Sequence, residues 1–408
     1  MTAMRILFLS HRFPYPPTFG SKVRAFHVIR HLSREHEVTV LSLVRSDQEL
    51  AEAAGIAGQC HAFEAIRVHD SLQTLKMAAA LPSRWTASEA YFHSAALSRA
   101  LQRRLNAKSF DFAFAHCSAV GRYLEQARGL PKLIDFCDVD SQKWLDYTQF
   151  KRWPLSWGYR WEGMRLAAAE RRIAARFDAV TVATAGEMDV LHRMGVRERV
   201  DWFANGVDAA FFSPDAEPYD QDLISFVGRM DYFPNEQCME VFCAEVLPLL
   251  QRERPALRLQ IVGAAPTARV KALTRHVGVT VTGSVPDIRR YVRRSAVTVA
   301  PLKIARGTQN KILESMAMGV PVVCSTVAAR GVDAVPGEHL LAADSPHEVC
   351  SAVLRLVGDR AERARLSEAG RARVLTHHGW EAAMQRLDGI VARSVSRGAC
   401  ENMVLDPA

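Results

Sequence analysis

Short, nearly unbroken apolar runs alternate along the chain with longer stretches of helical spacing. Met4–Ser10 reads as a buried strand, Val23–Ser33 as a helix, and His36–Leu43 as the next strand. Phe110–His116, Lys132–Phe136 and Phe177–Thr184 continue the series. The rhythm restarts at Leu223–Val227, Leu257–Val262, Val279–Thr282 and around Val297–Val299. Alternation of this kind predicts α/β architecture, with parallel sheets covered by helices on both faces. Between the halves stand the turn signal Asn205-Gly206-Val207-Asp208 and the polar, proline-containing stretch Ser213–Asp220. The expected division is a Rossmann-like domain at 1–212, a linker at 213–222 and a second Rossmann-like domain at 223–375. A helix at 376–396 and a tail at 397–408 follow. Two such domains joined by a linker predict a ligand cleft between them.

Composition narrows the class. The 408 residues are 49% apolar and 24% charged, as in a globular chain with room for two domains. The eight cysteines show no CxxC pairing and read as core residues of a reduced, cytoplasmic protein. The first residues pass directly into a strand, so no signal peptide is expected. No apolar run reaches the ~18 residues of a spanning helix. A net charge of +8 points to an anionic surface or substrate. Nucleic acid is not the expected partner, because no helix-turn-helix, zinc or RNA-binding signature is present. Residues 144–176 are basic and aromatic, with Trp153, Trp157 and Trp161 spaced four apart on one helix face. That composition suits an interfacial helix on the inner face of the plasma membrane; it equally suits a packing face with solvated arginines.

Candidate chemistry gathers at loops after strands. The stretch Val299–Ser325 reads as strand, small-residue loop, helix, Gly319 break and strand. Its loop amides and helix start form an anion site, Lys311 adds a cation, and Glu314 can accept from a vicinal diol. The plain alternative is a βαβ unit with a surface Lys-Glu pair. The loop His11–Lys22 follows the first strand, and Gly20 and Ser21 open its helix. His116 ends a strand, facing either a cleft or a structural hydrogen bond. Asp138-Val139-Asp140 is literally a DxD, which can hold a metal on a diphosphate; helix capping by Asp140 or Ser141 is the competing reading.

In combination, the N-terminal strand with its Pro-rich Gly loop, NGVD, FVGR and NKILESMAMGVPVV resemble the family-4 glycosyltransferases of GT-B fold. The resemblance spans about 4–390 in the family's order. The wording ARGTQNK, GRMDYFPN and DFCDVDSQKW is most similar to bacterial transferases associated with exosortase/PEP-CTERM systems, which are implicated in exopolysaccharide assembly. The resemblance implies two domains facing each other across a cleft and a C-terminal helix returning to the first. It implies retaining transfer of a sugar from a nucleoside diphosphate sugar to a glycan acceptor, here expected to be lipid-linked. Arg229 and His116 are carried over as catalytic residues, and Lys311 joins them as the catalytic cation. Glu314 matches the ribose-binding glutamate, Gly307 and Thr308 the phosphate loop, Gly20 the N-terminal glycine loop, and Val285 the base contact. Ser21, Lys22 and Arg24 fall on the acceptor side.

No metal and no cofactor are expected, because Arg229 and Lys311 supply the positive charge. Two departures stand out. Arg306 replaces the family's second glutamate, eight residues before Glu314, and points to an anionic donor sugar such as a uronic acid. The lysine usual after the arginine of GR is missing, so Lys311, or else Lys303, is expected to replace it. The alternatives are a GT-B-shaped sugar-nucleotide 2-epimerase and a non-catalytic sugar-nucleotide-binding subunit of a polysaccharide assembly complex. A dehydrogenase is disfavoured, since no GxGxxG follows the first strand.

Overall fold

A computed structural model describes residues 2–17, 20–107, 110–197 and 199–405, with side chains described through 397. Residues up to Ala204, together with those from Met384 onward, form one compact unit; Asn205–Ala383 form a second. The first unit holds a seven-stranded sheet: β1 (Arg5–Ser10), β2 (Glu37–Val44), β3 (Ala62–Arg67), β4 (Phe112–His116), β5 (Lys132–Cys137), β6 (Ala179–Val182) and β7 (Val200–Trp202). Their order is β3-β2-β1-β4-β5-β6-β7, and every pair is parallel. The second unit holds β8 (Asp220–Val227), β9 (Arg258–Val262), β10 (Val279–Gly283), β11 (Ser295–Ala300), β12 (Val322–Cys324) and β13 (Leu341–Ala342). These are parallel in the order β10-β9-β8-β11-β12-β13.

The central strands are buried on both faces, as parallel strands covered by helices must be. Only Arg5 of β1 is exposed, and β4 is buried throughout. Edge strand β3 was not expected. All six of its residues are half-buried, so AFEAIR lacks the unbroken apolar run that marks its neighbours. In each sheet the strand order reverses once, between β1 and β4 and between β8 and β11. Ligands of such sheets bind at these reversals, beyond the carboxyl ends of the strands.

The chain enters and leaves the second unit side by side. Val207 donates its amide to the His378 carbonyl at 2.8 Å. A Cβ on Gly206 would lie 2.5 Å from Trp380 Cγ, so the NGVD segment is held glycine-tight against that indole. The last helix, Trp380–Leu405, then joins the first unit. There Asp388 pairs with His31 at 2.8 Å, and Arg386 and Arg393 both reach Asp201. This helix runs past residue 397, where a tail was expected to begin, and the chain beyond Leu405 lies outside the described residues. Among the described residues every cysteine is free, and Cys238, Cys243, Cys324 and Cys350 are buried. No helix among them is long and apolar enough to cross a membrane.

Candidate functional site

In the second unit, two segments meet at the β8/β11 reversal. The helix Asn310–Ala317 buries Ile312, Leu313, Met316 and Ala317 in the core. Its spacing leaves Lys311 and Glu314 half-buried on the other side, one turn apart. The loop before it turns through Gly307 at φ +59°, a left-handed conformation that favours glycine. Among the described residues the Thr308 hydroxyl is buried without a hydrogen-bond partner. No side chain caps the helix start, and its first turn carries no acidic residue. A helix end without a side-chain cap, an unpartnered hydroxyl and the positive helix dipole make an anion cradle.

The second segment follows β8. Asn235 is buried and donates from Nδ2 to the Arg229 carbonyl at 2.8 Å. Its Oδ1 accepts from Lys311 Nζ at 2.5 Å, joining two segments 76 residues apart. The ammonium also lies 4.5 Å from the centre of the Phe226 ring. Burial pushes Lys311 down to about 8, partly opposed by Glu314. Burial likewise pushes Glu314 up to about 7, opposed by Lys311. The Arg229 fork is held by Asp231, with Nε and Nη2 donating at 2.7 and 2.8 Å. Both side chains are largely exposed, and such pairs are worth about 0–1 kcal/mol. A diphosphate can therefore displace Asp231 at little cost. Val285 packs beside Val227, Val262 and Met318, at the carboxyl ends of β8 and β9. Arg306 is half-buried in the same loop as Gly307, and Lys303 is exposed nearby. The fold thus brings Arg229, Lys311, Glu314, Arg306, Gly307, Thr308 and Val285 to one end of one sheet.

The first-unit residues divide differently. Gly20 is exposed and opens the helix Gly20–Leu32; the two preceding loop residues, Thr18 and Phe19, lie outside the described residues. Ser21 is half-buried, and its carbonyl accepts from His116 Nε2 at 3.1 Å. His116 itself is buried, with Nδ1 3.2 Å from Asp135 Oδ2. Both ring nitrogens are engaged, so His116 does not present a donor to a ligand here. It positions the helix start instead. Arg24 is no acceptor-side residue: it is 1% exposed and locked in the sheet core. Its Nε and Nη2 donate to the two Asp135 oxygens at 2.7 and 2.9 Å, and Nη1 donates to the Phe203 carbonyl at 2.9 Å. Lys22 is also buried and pairs with Glu49 at 3.1 Å. The overlooked signal was Asp135, a carboxylate inside the apolar run Leu133–Phe136, which requires a buried cation.

His116, Asp135 and Cys137 place three ligand-type atoms within 4.8 Å of one another. The Asp135 oxygens are already taken by Arg24, His116 and Thr181, so the cluster reads as an ion-pair network. The guanidinium overcomes burial and holds the Asp135 carboxyl well below the usual range. The DxD segment does not cap its helix as expected. Asp140 Oδ2 accepts from Ser118 at 2.9 Å, while Glu187 and Glu170 accept the amides of Val139 and Ser141. Burial, with Glu187 and Asp140 nearby, pushes Asp138 up to about 7. A cavity of about 880 Å³ in the first unit is lined by Trp85, His93, Arg122 and Tyr123, among others, and by none of the candidate residues.

Two known domain families match the chain. Residues 19–206 match the glycosyl transferase 4-like domain, and residues 221–359 match glycosyl transferases group 1. No curated protein matches it. Among solved structures, sucrose-phosphate synthase from Thermosynechococcus elongatus superposes with a TM-score of 0.72 at 18% identity, covering 96% of this chain and 99% of that one. HepE of Anabaena in complex with UDP-glucose gives 0.69 at 13% identity, over 97% of this chain and 100% of that one. A mutant of S. aureus TarM, crystallised with fondaparinux, α-GlcNAc-glycerol and UDP, gives 0.64 at 8% identity, over 95% and 99%. At these identities the likeness is one of fold. The two domain matches, in that order on two parallel-sheet Rossmann-like units, take in most of the chain, which belongs to the family-4-like glycosyltransferases of GT-B fold.

Proposed function

We propose that this glycosyltransferase moves a sugar, with retention, from a nucleoside diphosphate sugar to a lipid-linked glycan acceptor in cell-surface polysaccharide assembly. The observation that carries the donor half is the meeting of Lys311, Glu314, Arg229 and the unpartnered Thr308 hydroxyl at the β8/β11 reversal. The cation and amides suit a diphosphate, and the carboxylate suits a ribose diol. HepE, crystallised with UDP-glucose, supports a donor of this class. The exopolysaccharide role and the association with exosortase/PEP-CTERM systems rest on the resemblance of the quoted segments.

In the proposed reaction the bond between the anomeric carbon and the β-phosphate oxygen breaks. The acceptor oxygen bonds to the same face of that carbon, and its proton passes to the leaving phosphate. No protein base is needed. The protein's task is to hold positive charge where the diphosphate becomes more anionic, often the largest catalytic contribution. Lys311 and Arg229 take that role, without a metal.

A panel of nucleotide sugars, neutral and uronic, tests the donor assignment by thermal shift and calorimetry. A uronic donor held through Arg306 is expected to bind more weakly to Arg306→Ala. The Glu314→Ala variant is expected to lose about 100-fold in donor affinity. That corresponds to two hydrogen bonds to a charged group at about 1.5 kcal/mol each. Unchanged affinity in a folded Glu314→Ala protein would sink the ribose assignment.

The pH profile follows from the same pair. Glu314 must be ionised, which favours pH above about 7. Lys311 must be protonated, which favours pH below about 8. A narrow bell in kcat/KM is expected, with apparent limits near these values that belong to the coupled pair. Glu314→Gln should flatten the acid limb only. A profile flat from pH 6 to 9 in the wild type would contradict these roles.

A further inference from the structure

We propose that the first unit docks on an anionic lipid bilayer through one defined patch, formed by the start of helix Leu155–Ala174 and the segment 81–85. This deepens the lipid-linked acceptor reading and rests on it for its purpose, though not for its test. The helix turns Leu166, Ala167, Ala169 and Ile173 inward, and its two glutamates, Glu162 and Glu170, are buried with them. At the opposite side Trp153 is 82% exposed, Leu155 63% and Trp157 64%. Trp157 stacks on Trp161 at 6.2 Å, presenting a double indole surface.

Leu81 adds an exposed apolar side chain on the neighbouring segment, and Leu72 and Leu75 are exposed on the helix Asp70–Ala79 that leads into it. Arg165 ties the segment 81–85 to the helix Leu155–Ala174. Its guanidinium lies 4.1 Å over the Trp161 ring and donates to the carbonyls of Leu81 at 3.2 Å and Ser83 at 2.5 Å. Large apolar side chains are rarely clustered in the open unless something covers them.

Charge identifies the cover. Arg84, Arg152 and Arg160 are exposed around the patch, and none of them makes an ion pair among the described residues. Asp70, at the start of the Leu72 helix, is already paired with Arg45 at 2.7 Å. Tryptophan and leucine flanked by uncompensated arginines match the boundary between lipid headgroups and acyl chains. A protein partner would have to supply both apolar area and several acids. A bilayer containing anionic lipid supplies both by composition. Because no described helix can cross a membrane, the contact is one of lying on the surface.

The test uses the full chain with phosphatidylcholine vesicles prepared with and without phosphatidylglycerol. Cosedimentation is expected only with the anionic vesicles, and brominated lipid should quench tryptophan fluorescence. A Trp153→Ser/Trp157→Ser variant should lose about tenfold or more in vesicle affinity, since it removes exposed side chains and leaves the core intact. Arg152→Glu/Arg160→Glu should abolish the preference for anionic lipid. Nucleotide-sugar binding by thermal shift should be unchanged in both variants. Absence of wild-type binding to anionic vesicles, or undiminished binding in both variants, overturns the proposal. So does concentration-dependent self-association that the tryptophan variant removes while vesicle binding is absent. Loss of donor binding with vesicle binding intact would refute the proposed function and leave the docking surface standing.

Discussion

Replacing Lys311 with methionine is expected to lower kcat/KM by on the order of 10²–10³, the usual cost of removing one preorganised charge contact from a reacting centre. The ammonium is preorganised by its surroundings. Asn235 accepts from it at 2.5 Å, and Asn235 in turn holds the Arg229 carbonyl. Methionine matches the lysine stem in length and carries no charge. Folding already disfavours the Lys311 ammonium, whose value falls from 10.5 to about 8. That penalty is present below pH 8 and fades as pH rises toward 10.5. Its removal offsets the hydrogen bond lost by Asn235, so Tm near pH 7 should move by no more than a few degrees. Arginine at the same position keeps the charge at high pH, so it should recover part of the activity and flatten the alkaline limb of the profile. A rate within tenfold of wild type for Lys311→Met, measured at saturating acceptor, would place the compensating cation elsewhere, with Lys303 the next candidate.

Arg24→Met is expected to destabilise the first unit by about 3–5 kcal/mol, because it strands the Asp135 carboxylate in the sheet core. Roughly 6–20 °C in Tm follows for a unit of this size. Asp135 is wholly buried, and Arg24 provides two of its hydrogen bonds, while Thr181, His116 and the Cys137 thiol provide the others. The sign with pH is definite. The carboxyl is held below its unfolded value, so the pair's contribution is full at neutral pH. It is lost only as pH falls below the ordinary aspartate range. The double variant Arg24→Met/Asp135→Leu should recover much of the loss, since a well-packed apolar pair often matches a buried ion pair. If Arg24 were instead an acceptor contact, Arg24→Met would lower activity and leave Tm unchanged. Thermal denaturation beside a donor-binding assay separates the two.

The strands of both sheets were legible because parallel strands covered on both faces must be apolar nearly throughout, and runs such as Ile6–Leu9 are. The Lys311–Glu314 pair was legible for a similar reason. Helical periodicity fixes which side of Asn310–Ala317 enters the core, and so which side carries Lys311 and Glu314. Local rules also required a residue like Gly307 where the loop turns left-handed. Strands β3, β7 and β13 escaped, the first two because they are only half-buried, the last because its two residues are too few to show a pattern.

What only the tertiary structure decided was adjacency. Strand order set β8 beside β11, and with it Asn235 against Lys311. It set β4 and β5 beside the first helix, which turned Arg24 from an expected acceptor contact into the counterion of a carboxylate 111 residues away. Side-chain period tells which face of an element is buried. It does not tell which charge waits there, because partners in a parallel sheet are chosen by crossovers far along the chain. The sequence by itself therefore determined the two α/β halves and the Lys311–Glu314 helix, and the packing of distant strands decided which basic residues stay at the strand ends and which hold the fold.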